Sequence, residues 1–181
     1  MISNIRGVTL VELIIVVSII AILVVALGFQ YAGWQGRYNV ESTVRQIHSD
    51  MLFARSRAMQ YGRNHYFWTT GPTHYVICDD DGNGTAALRS GDGVRQKAGD
   101  TGVTRPDTVL PTYPKSTRHD MSWSTGADFL TFESNGLISA TVIPATLQIS
   151  STYTPDYDCI SITNLKISLG SWMTGGGCNA K

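Results

Sequence analysis

The chain begins with an apolar block and continues as a polar, glycine-rich sequence. Between Val8 and Phe29, the apolar residues are interrupted only by Thr9, Glu12, Ser18 and Gly28. At ~1.5 Å of rise per residue, a helix of this length covers the ~30 Å hydrocarbon core of a bilayer. Val and Ile are abundant, but a lone segment in hydrocarbon satisfies its backbone polar groups only as a helix. The pattern therefore predicts a membrane-spanning helix over residues 8–29.

A different helical pattern begins after Gly33 and Gly36. Apolar residues recur at alternating steps of four and three, which draws one stripe along a helix from about Asn39 to Tyr61. The stripe comprises Val40, Val44, Ile47, Met51, Ala54 and Ala58. We expect an amphipathic helix within residues 30–62, with the stripe covered by the rest of the chain and Gly62 as its C-terminal stop.

Three arginines lie near the end of this second helix, at positions 55, 57 and 63. Cations suit the C-terminal end of a helix dipole, so we interpret them as a solvated, dipole-favourable face. Contact with phosphate is the alternative role for the same residues.

Short runs rich in aromatic and β-branched residues follow, separated by turn signals. Two predicted hairpins pair residues 65–70 with 73–78 across Gly71-Pro72, and residues 129–132 with 137–143 across Ser134-Asn135-Gly136. Further strands are predicted at residues 146–150, 159–163 and 166–169, the last of which closes the set after a turn at Asn164. The polar segment from Gly82 to Pro114 is predicted as a long loop with one or two short strands.

Composition limits the classes of protein that need to be considered. The 181 residues carry 14 Lys and Arg against 14 Asp and Glu, with 43% hydrophobic and 15% charged residues. Disordered tails and proteins that coat nucleic acids have a much stronger compositional bias. We therefore expect one domain of ordinary size with one appended apolar segment.

The start of the apolar block carries a specific motif. Gly7-Val8-Thr9-Leu10-Val11-Glu12-Leu13, followed by the apolar run, resembles the type IV prepilin signal. The resemblance implies that residues 1–7 are a leader, that a prepilin peptidase cuts after Gly7, and that the new amino terminus at Val8 is methylated. Two positions depart from the family pattern, since most members have Phe or Met at Val8 and many have Pro at Phe29. A secretory signal peptide fits less well, because its apolar core is shorter and contains no carboxylate.

The same resemblance implies a role for Glu12. In a filament of packed N-terminal helices, Glu12 would lie in an apolar bundle, where the nearest cation is the amino terminus at Val8 of a neighbouring subunit. Burying a carboxylate in an apolar environment costs a few kcal/mol unless it has a partner. We therefore expect Glu12 to act in assembly.

The segment from Phe53 to Arg63 resembles a recurrent helix end in minor pilins and pseudopilins of the FimT and GspH type. This resemblance implies an α+β type IV pilin fold, in which a long N-terminal helix packs on a C-terminal antiparallel β-sheet domain, here residues 63–181. It also implies a single-pass protein of the bacterial inner membrane, whose domain lies outside the cytoplasm before the subunit joins other pilin or pseudopilin subunits. A type IV pilus and a type II secretion pseudopilus both fit; the long polar segment from Gly82 to Pro114 favours the pilus.

The cysteines are Cys78, Cys159 and Cys178. The prepilin signal places them outside the cytoplasm, where disulfides persist. The resemblance favours Cys159 with Cys178, because pilins commonly have a bridge there and because it would tie down the C-terminal tail. Cys78 with Cys159 remains the alternative.

Asp79, Asp81 and Asn83 stand at alternate positions before Gly84, as in the opening of a calcium loop of EF-hand type. The twelfth position of such a loop needs a Glu, and here it is Ser90, so the last ligand would have to come from Asp92 or elsewhere. A plain turn of Asp, Gly and Asn explains the same residues. Apart from possible calcium, the sequence indicates no cofactor.

Enzymatic and nucleic-acid-binding functions find little support in the sequence. The four histidines are scattered and no nucleophile or phosphate-loop motif occurs, so we expect no catalytic activity. DNA uptake would require clustered cations, but the last 60 or so residues contain only Lys166 and Lys181. A DNA-binding pilus subunit is therefore the least favoured function.

Overall fold

The computed structural model describes residues 8–81, 107–124, 126–173 and 175–181, without the side chains of residues 26–30 and 32. Within these ranges the chain forms one helix and eleven strands. The helix, α1, spans Leu10–Tyr61. The strands are β1 (His65–Gly71), β2 (His74–Asp79), β3 (Thr108–Val109), β4 (Lys115–Ser116), β5 (Met121–Trp123), β6 (Phe129–Phe132), β7 (Ile138–Ala140), β8 (Ala145–Ile149), β9 (Cys159–Ile162), β10 (Ile167–Trp172) and β11 (Cys178–Ala180).

The two predicted helical segments form one continuous helix. It begins after Thr9, whose side chain accepts a hydrogen bond from the backbone N–H of Glu12 at 3.3 Å. It ends at Gly62, which has a left-handed φ of 66° and donates its N–H to the carbonyl of Ala58. The predicted stop at Gly62 is confirmed, because glycine adopts this conformation without the steric cost that a Cβ brings.

The strands form two antiparallel sheets, which confirms the predicted α+β fold. The first has the order β3-β2-β1-β6-β7, with β4 also paired to β2, and the second has the order β11-β10-β9-β8-β5. Both predicted hairpins are present, as β1 with β2 and β6 with β7. The prediction that the strand after Asn164 closes the set was wrong, because β11 adds a further edge beside β10. Of the predicted loop, residues 82–106 lie outside the described ranges, and β3 occupies its end.

The predicted helical stripe forms one wall of the core. All six of its residues are fully buried. The stripe side of α1 meets β1 and β6 of the first sheet and β9 and β10 of the second, so the helix holds both sheets together. Fully burying a side chain such as Ile47 or Met51 contributes roughly 1.5–3 kcal/mol, which makes this contact the main attachment of the helix.

A second, smaller apolar cluster lies apart from the main core. Phe67 and Ile77 point into the main core, whereas Tyr66, Trp68 and Val76 form this second cluster together with Cys78. Successive residues of a strand point to opposite faces. The central strands β1 and β2 are therefore buried on both faces of the first sheet.

The interpretation of the three arginines as a solvated face was wrong. Arg55 donates to the carbonyl oxygens of Gly136 at 2.8 Å and of Leu165 at 2.9 Å, and thereby ties the helix to one turn from each sheet. Arg63 forms an ion pair with Asp79. The guanidinium of Arg57 lies 4.6 Å from the centre of the Tyr61 ring. The last turn of α1 itself contains no basic residue.

Candidate functional site

The first half of α1 presents an uncovered apolar surface. From Val8 to Val25, the large apolar side chains are between 50 and 75% exposed. A contiguous apolar surface of more than a few hundred Å² marks a site of interaction with protein or membrane. The second half of the same helix buries its apolar stripe under the sheets. One element therefore carries both a free apolar surface and the attachment to the domain.

The predicted processing and assembly residues lie at the start of this surface. Gly7 is outside the described residues, while Val8 is exposed and precedes the capping residue Thr9. Glu12 lies in the first turn of α1 and is exposed. Among the described residues, which leave out the side chains of residues 26–30, no helix combines the length and apolarity that crossing a bilayer requires.

The sequence analysis missed a second role of Glu12. Thr9 is the residue that caps the helix, and Glu12 is the third helical residue after it, as in a capping box. A carboxylate in the first turn also interacts favourably with the positive end of the helix dipole, typically by 0.3–1 kcal/mol. The Thr-x-x-Glu spacing before an apolar run was the signal that could have revealed this role.

The aspartates of the predicted calcium segment form contacts within the domain. Asp79 is the last residue of β2 and pairs with Arg63. The carboxylate of Asp81 accepts hydrogen bonds from the backbone N–H of Thr108 at 2.8 Å and from its hydroxyl at 2.9 Å. Asn83 lies outside the described residues. Across the described ranges, no group of three or more His, Cys, Asp or Glu is arranged to hold a metal ion. Calcium binding at this segment stays a prediction.

The disulfide joins Cys159 to Cys178, as the resemblance implied. It links β9 to β11 across the intervening strand β10. A Cβ added to Gly170 of β10 would come within 2.6 Å of the Cys178 sulfur and 2.5 Å of the Asn179 carbonyl oxygen. Glycine at this position therefore leaves room for the bridge. The alternative pairing of Cys78 with Cys159 was wrong, since Cys78 is a buried thiol on the first sheet.

A buried polar cluster anchors α1 to the first sheet, and the sequence did not reveal it. Asp50 projects from the helix beside the apolar stripe and accepts a hydrogen bond from the Tyr75 hydroxyl at 2.6 Å. The ammonium group of Lys115 lies 2.8 Å from both carboxylate oxygens of Asp50. Burial is the largest cause of a raised pKa for Tyr75, and the nearby Asp50 adds to it. The phenol therefore stays protonated and donates the hydrogen bond at neutral pH. This cluster is structural, since each polar group is used to hold α1, β2 and β4 together.

Comparison with known proteins places the chain in a family. No curated protein and no solved structure matches it. The family model described as prokaryotic N-terminal methylation motif matches residues 2–28, which include the segment that carries Gly7, Val8 and Glu12. The family model described as type II transport protein GspH matches residues 43–165, about two thirds of the chain. The chain is therefore a type IV pilin-like protein that belongs to the GspH family.

Proposed function

We propose that this protein is a minor pilin, a structural subunit that is processed by prepilin peptidase and assembled into a type IV pilus. The observation that carries the proposal is the continuous helix α1, whose large apolar side chains from Leu10 to Val25 are exposed and whose second half is attached to the domain by a buried stripe. The role is structural rather than catalytic, in keeping with the family.

The dimensions of α1 suit this role. Its 52 residues extend for about 78 Å at ~1.5 Å per residue, which is much longer than the domain contact alone requires. Before assembly, residues 8–29 would hold the protein in the bacterial inner membrane. The domain would lie outside the cytoplasm, which the Cys159–Cys178 disulfide favours. In the filament, the same apolar surface would pack against the helices of other subunits.

Glu12 would select the position of each subunit in the filament. After cleavage at Gly7, the amino group of Val8 becomes a cation at the end of an apolar helix. Its pairing with Glu12 of the adjacent subunit would offset the desolvation of both groups. The pairing would act only in the assembled state, because only there does a second amino terminus come close.

Processing is tested by mass spectrometry of the protein isolated from cells. The wild-type chain should lack residues 1–7 and carry a methylated Val8, whereas Gly7→Leu should keep the leader. Gly33→Ala serves as the matched glycine control, since a Cβ at Gly33 meets nothing within 4 Å, and it should be processed normally. A native chain that retains its leader within a surface filament would contradict the proposal.

A type II secretion pseudopilus is the second candidate assembly, and the description of the matching family, type II transport protein, favours it. Deletion of the gene separates the two functions. Loss of surface pili with normal protein export would support the pilus. Normal pili with failed export would assign the chain to the secretion system instead.

A further inference from the structure

Three neighbouring aromatic residues form an aromatic stripe on α1 directly after the apolar segment. Tyr31, Trp34 and Tyr38 are 61, 62 and 57% exposed. The ring centres of Tyr31 and Trp34 are 6.1 Å apart, and those of Trp34 and Tyr38 are 5.9 Å apart with an interplanar angle of 21°. Their spacing of three and four residues keeps them on one face of the helix. Large aromatic rings exposed together on one face indicate a surface that contacts protein or membrane.

The stripe faces away from the domain of its own chain. The domain reaches this part of the helix at Gly36, where an added Cβ would lie 2.3 Å from the ring of Tyr153, and at the fully buried Val40. At about 100° per residue, the three aromatic residues lie between about 120° and 180° around the helix from Gly36 and Val40. The described part of the domain therefore leaves the stripe accessible to the surroundings of the helix.

We propose that this aromatic stripe is an interfacial anchor that sits among the lipid headgroups on the outer side of the membrane and fixes the height of the domain above it. The inference rests on the proposed membrane insertion of residues 8–29. Its occupant is the headgroup layer of a phospholipid bilayer that contains anionic lipid.

The height of the stripe along the helix supports this environment. Counted from Leu10 at ~1.5 Å per residue, Tyr31 lies at about 32 Å and Trp34 at about 36 Å. A bilayer has a hydrocarbon core of ~30 Å and a total thickness of ~40–45 Å. If the helix enters the core near Leu10, Tyr31 reaches its outer edge and Trp34 lies within the headgroup layer.

The chemistry of the side chains matches that layer. Tyr and Trp combine an apolar ring with a hydroxyl or N–H donor, and they concentrate where hydrocarbon meets water. Arg37 is exposed on the same stretch of helix, and its guanidinium can bind lipid phosphate in a bidentate manner.

The test measures the depth of Trp34 in vesicles of phosphatidylethanolamine and phosphatidylglycerol, using the full chain and lipids brominated at shallow or deep acyl positions. Subtracting the emission of Trp34→Phe isolates Trp34 from the other three tryptophans. We expect shallow bromines to quench Trp34 about twofold more than deep bromines. Trp172→Phe is the matched control, because Trp172 lies on β10 in the domain and its difference signal should not respond to brominated lipid.

A second variant separates this inference from the proposed membrane anchor. Val17→Trp in the Trp34→Phe chain reports on the centre of residues 8–29 and should be quenched most by deep bromines. If Val17→Trp is quenched but Trp34 responds only to aqueous acrylamide, the stripe stands in water and the inference is overturned. If Trp34 is shielded from both lipid bromines and acrylamide, a second copy covers it, which also overturns the inference. If Val17→Trp is not quenched by lipid, membrane insertion itself fails and the anchor fails with it.

Discussion

His65 is fully buried at the point where the chain leaves α1 and enters β1. Its Nε2 atom lies 3.9 Å from a carboxylate oxygen of Asp79, too far for a hydrogen bond. Burial lowers the pKa of His65. The negative charge of Asp79 and the hydrogen bond to the backbone carbonyl of Arg63 oppose this effect, while the positive charges of Arg57 and Arg63 support it. The folded protein therefore holds His65 as a neutral imidazole at neutral pH.

The lowered pKa of His65 predicts a loss of stability in mild acid. Below the ordinary histidine pKa of about 6.5, the unfolded chain binds a proton that the folded chain resists, so the free energy of unfolding falls as pH decreases. We expect urea unfolding of the full chain in detergent to show this decline as the pH falls below about 6.5. His65→Gln should flatten the decline, whereas the exposed control His74→Gln should retain it. Equal slopes in both variants would contradict the assignment.

The aspartate segment allows a direct test of calcium binding. A ligand that binds only the folded state raises the melting temperature by mass action. Asp79 and Asp81 are already engaged with Arg63 and Thr108, so calcium would have to break these contacts to gain carboxylate ligands. We therefore expect millimolar calcium to leave the melting temperature unchanged, as measured by thermal unfolding with EGTA as the reference. A rise that disappears in Asp81→Ala would instead establish the site.

At the scale of elements, the sequence predicted those helices and strands whose apolar residues recur at a regular period. The six stripe residues of α1 and the two hairpins repeat at helical and strand periods, and they were located correctly. The strands β4 and β5 and the terminal β11 have two or three residues each, which is too short for a period to show. These short strands form because neighbouring strands supply their backbone hydrogen-bond partners. The contacts of Arg55 were equally hidden, because the two carbonyl groups it binds lie 81 and 110 residues away.

Two glycines of α1 should respond differently to the same substitution. A Cβ at Gly33 meets nothing within 4 Å, so Gly33→Ala should stabilise the helix by up to ~1 kcal/mol. A Cβ at Gly36 would collide with the ring of Tyr153, so Gly36→Ala should displace this ring and gain less or lose stability. Urea unfolding of both variants measures the difference. Equal stabilisation would show that Tyr153 does not pack on the helix in solution.

At the scale of the whole molecule, local sequence motifs were easier to predict than contacts between residues far apart in the chain. The prepilin motif marked Glu12 from seven contiguous residues, and a family model matches the same region. The cluster of Asp50, Tyr75 and Lys115 could not be predicted in this way, since Asp50 and Lys115 are 65 residues apart and only the fold brings them together. Local motifs predict processing and assembly, whereas the attachment of the helix depends on tertiary packing.

The proposed assembly role of Glu12 can be tested separately from its position at the helix start. Glu12→Val removes a carboxylate whose insertion into a bilayer costs a few kcal/mol, so membrane insertion should be preserved or improved. Incorporation into filaments should fall, because the amino group of Val8 in the adjacent subunit would be buried without its partner. The measurement compares the amount of each variant in sheared filaments with the amount in the membrane fraction.

The control for this variant is Thr9→Val, which removes the hydroxyl that caps α1 but leaves the carboxylate of Glu12. If pairing between subunits drives assembly, Thr9→Val should enter filaments at close to the wild-type level, since loss of a helix cap costs only ~1 kcal/mol. If the two variants are equally impaired, the contribution of Glu12 is to the helix start rather than to a neighbouring subunit. Normal incorporation of Glu12→Val would refute the pairing altogether, because a filament could not then depend on a buried ion pair at this position.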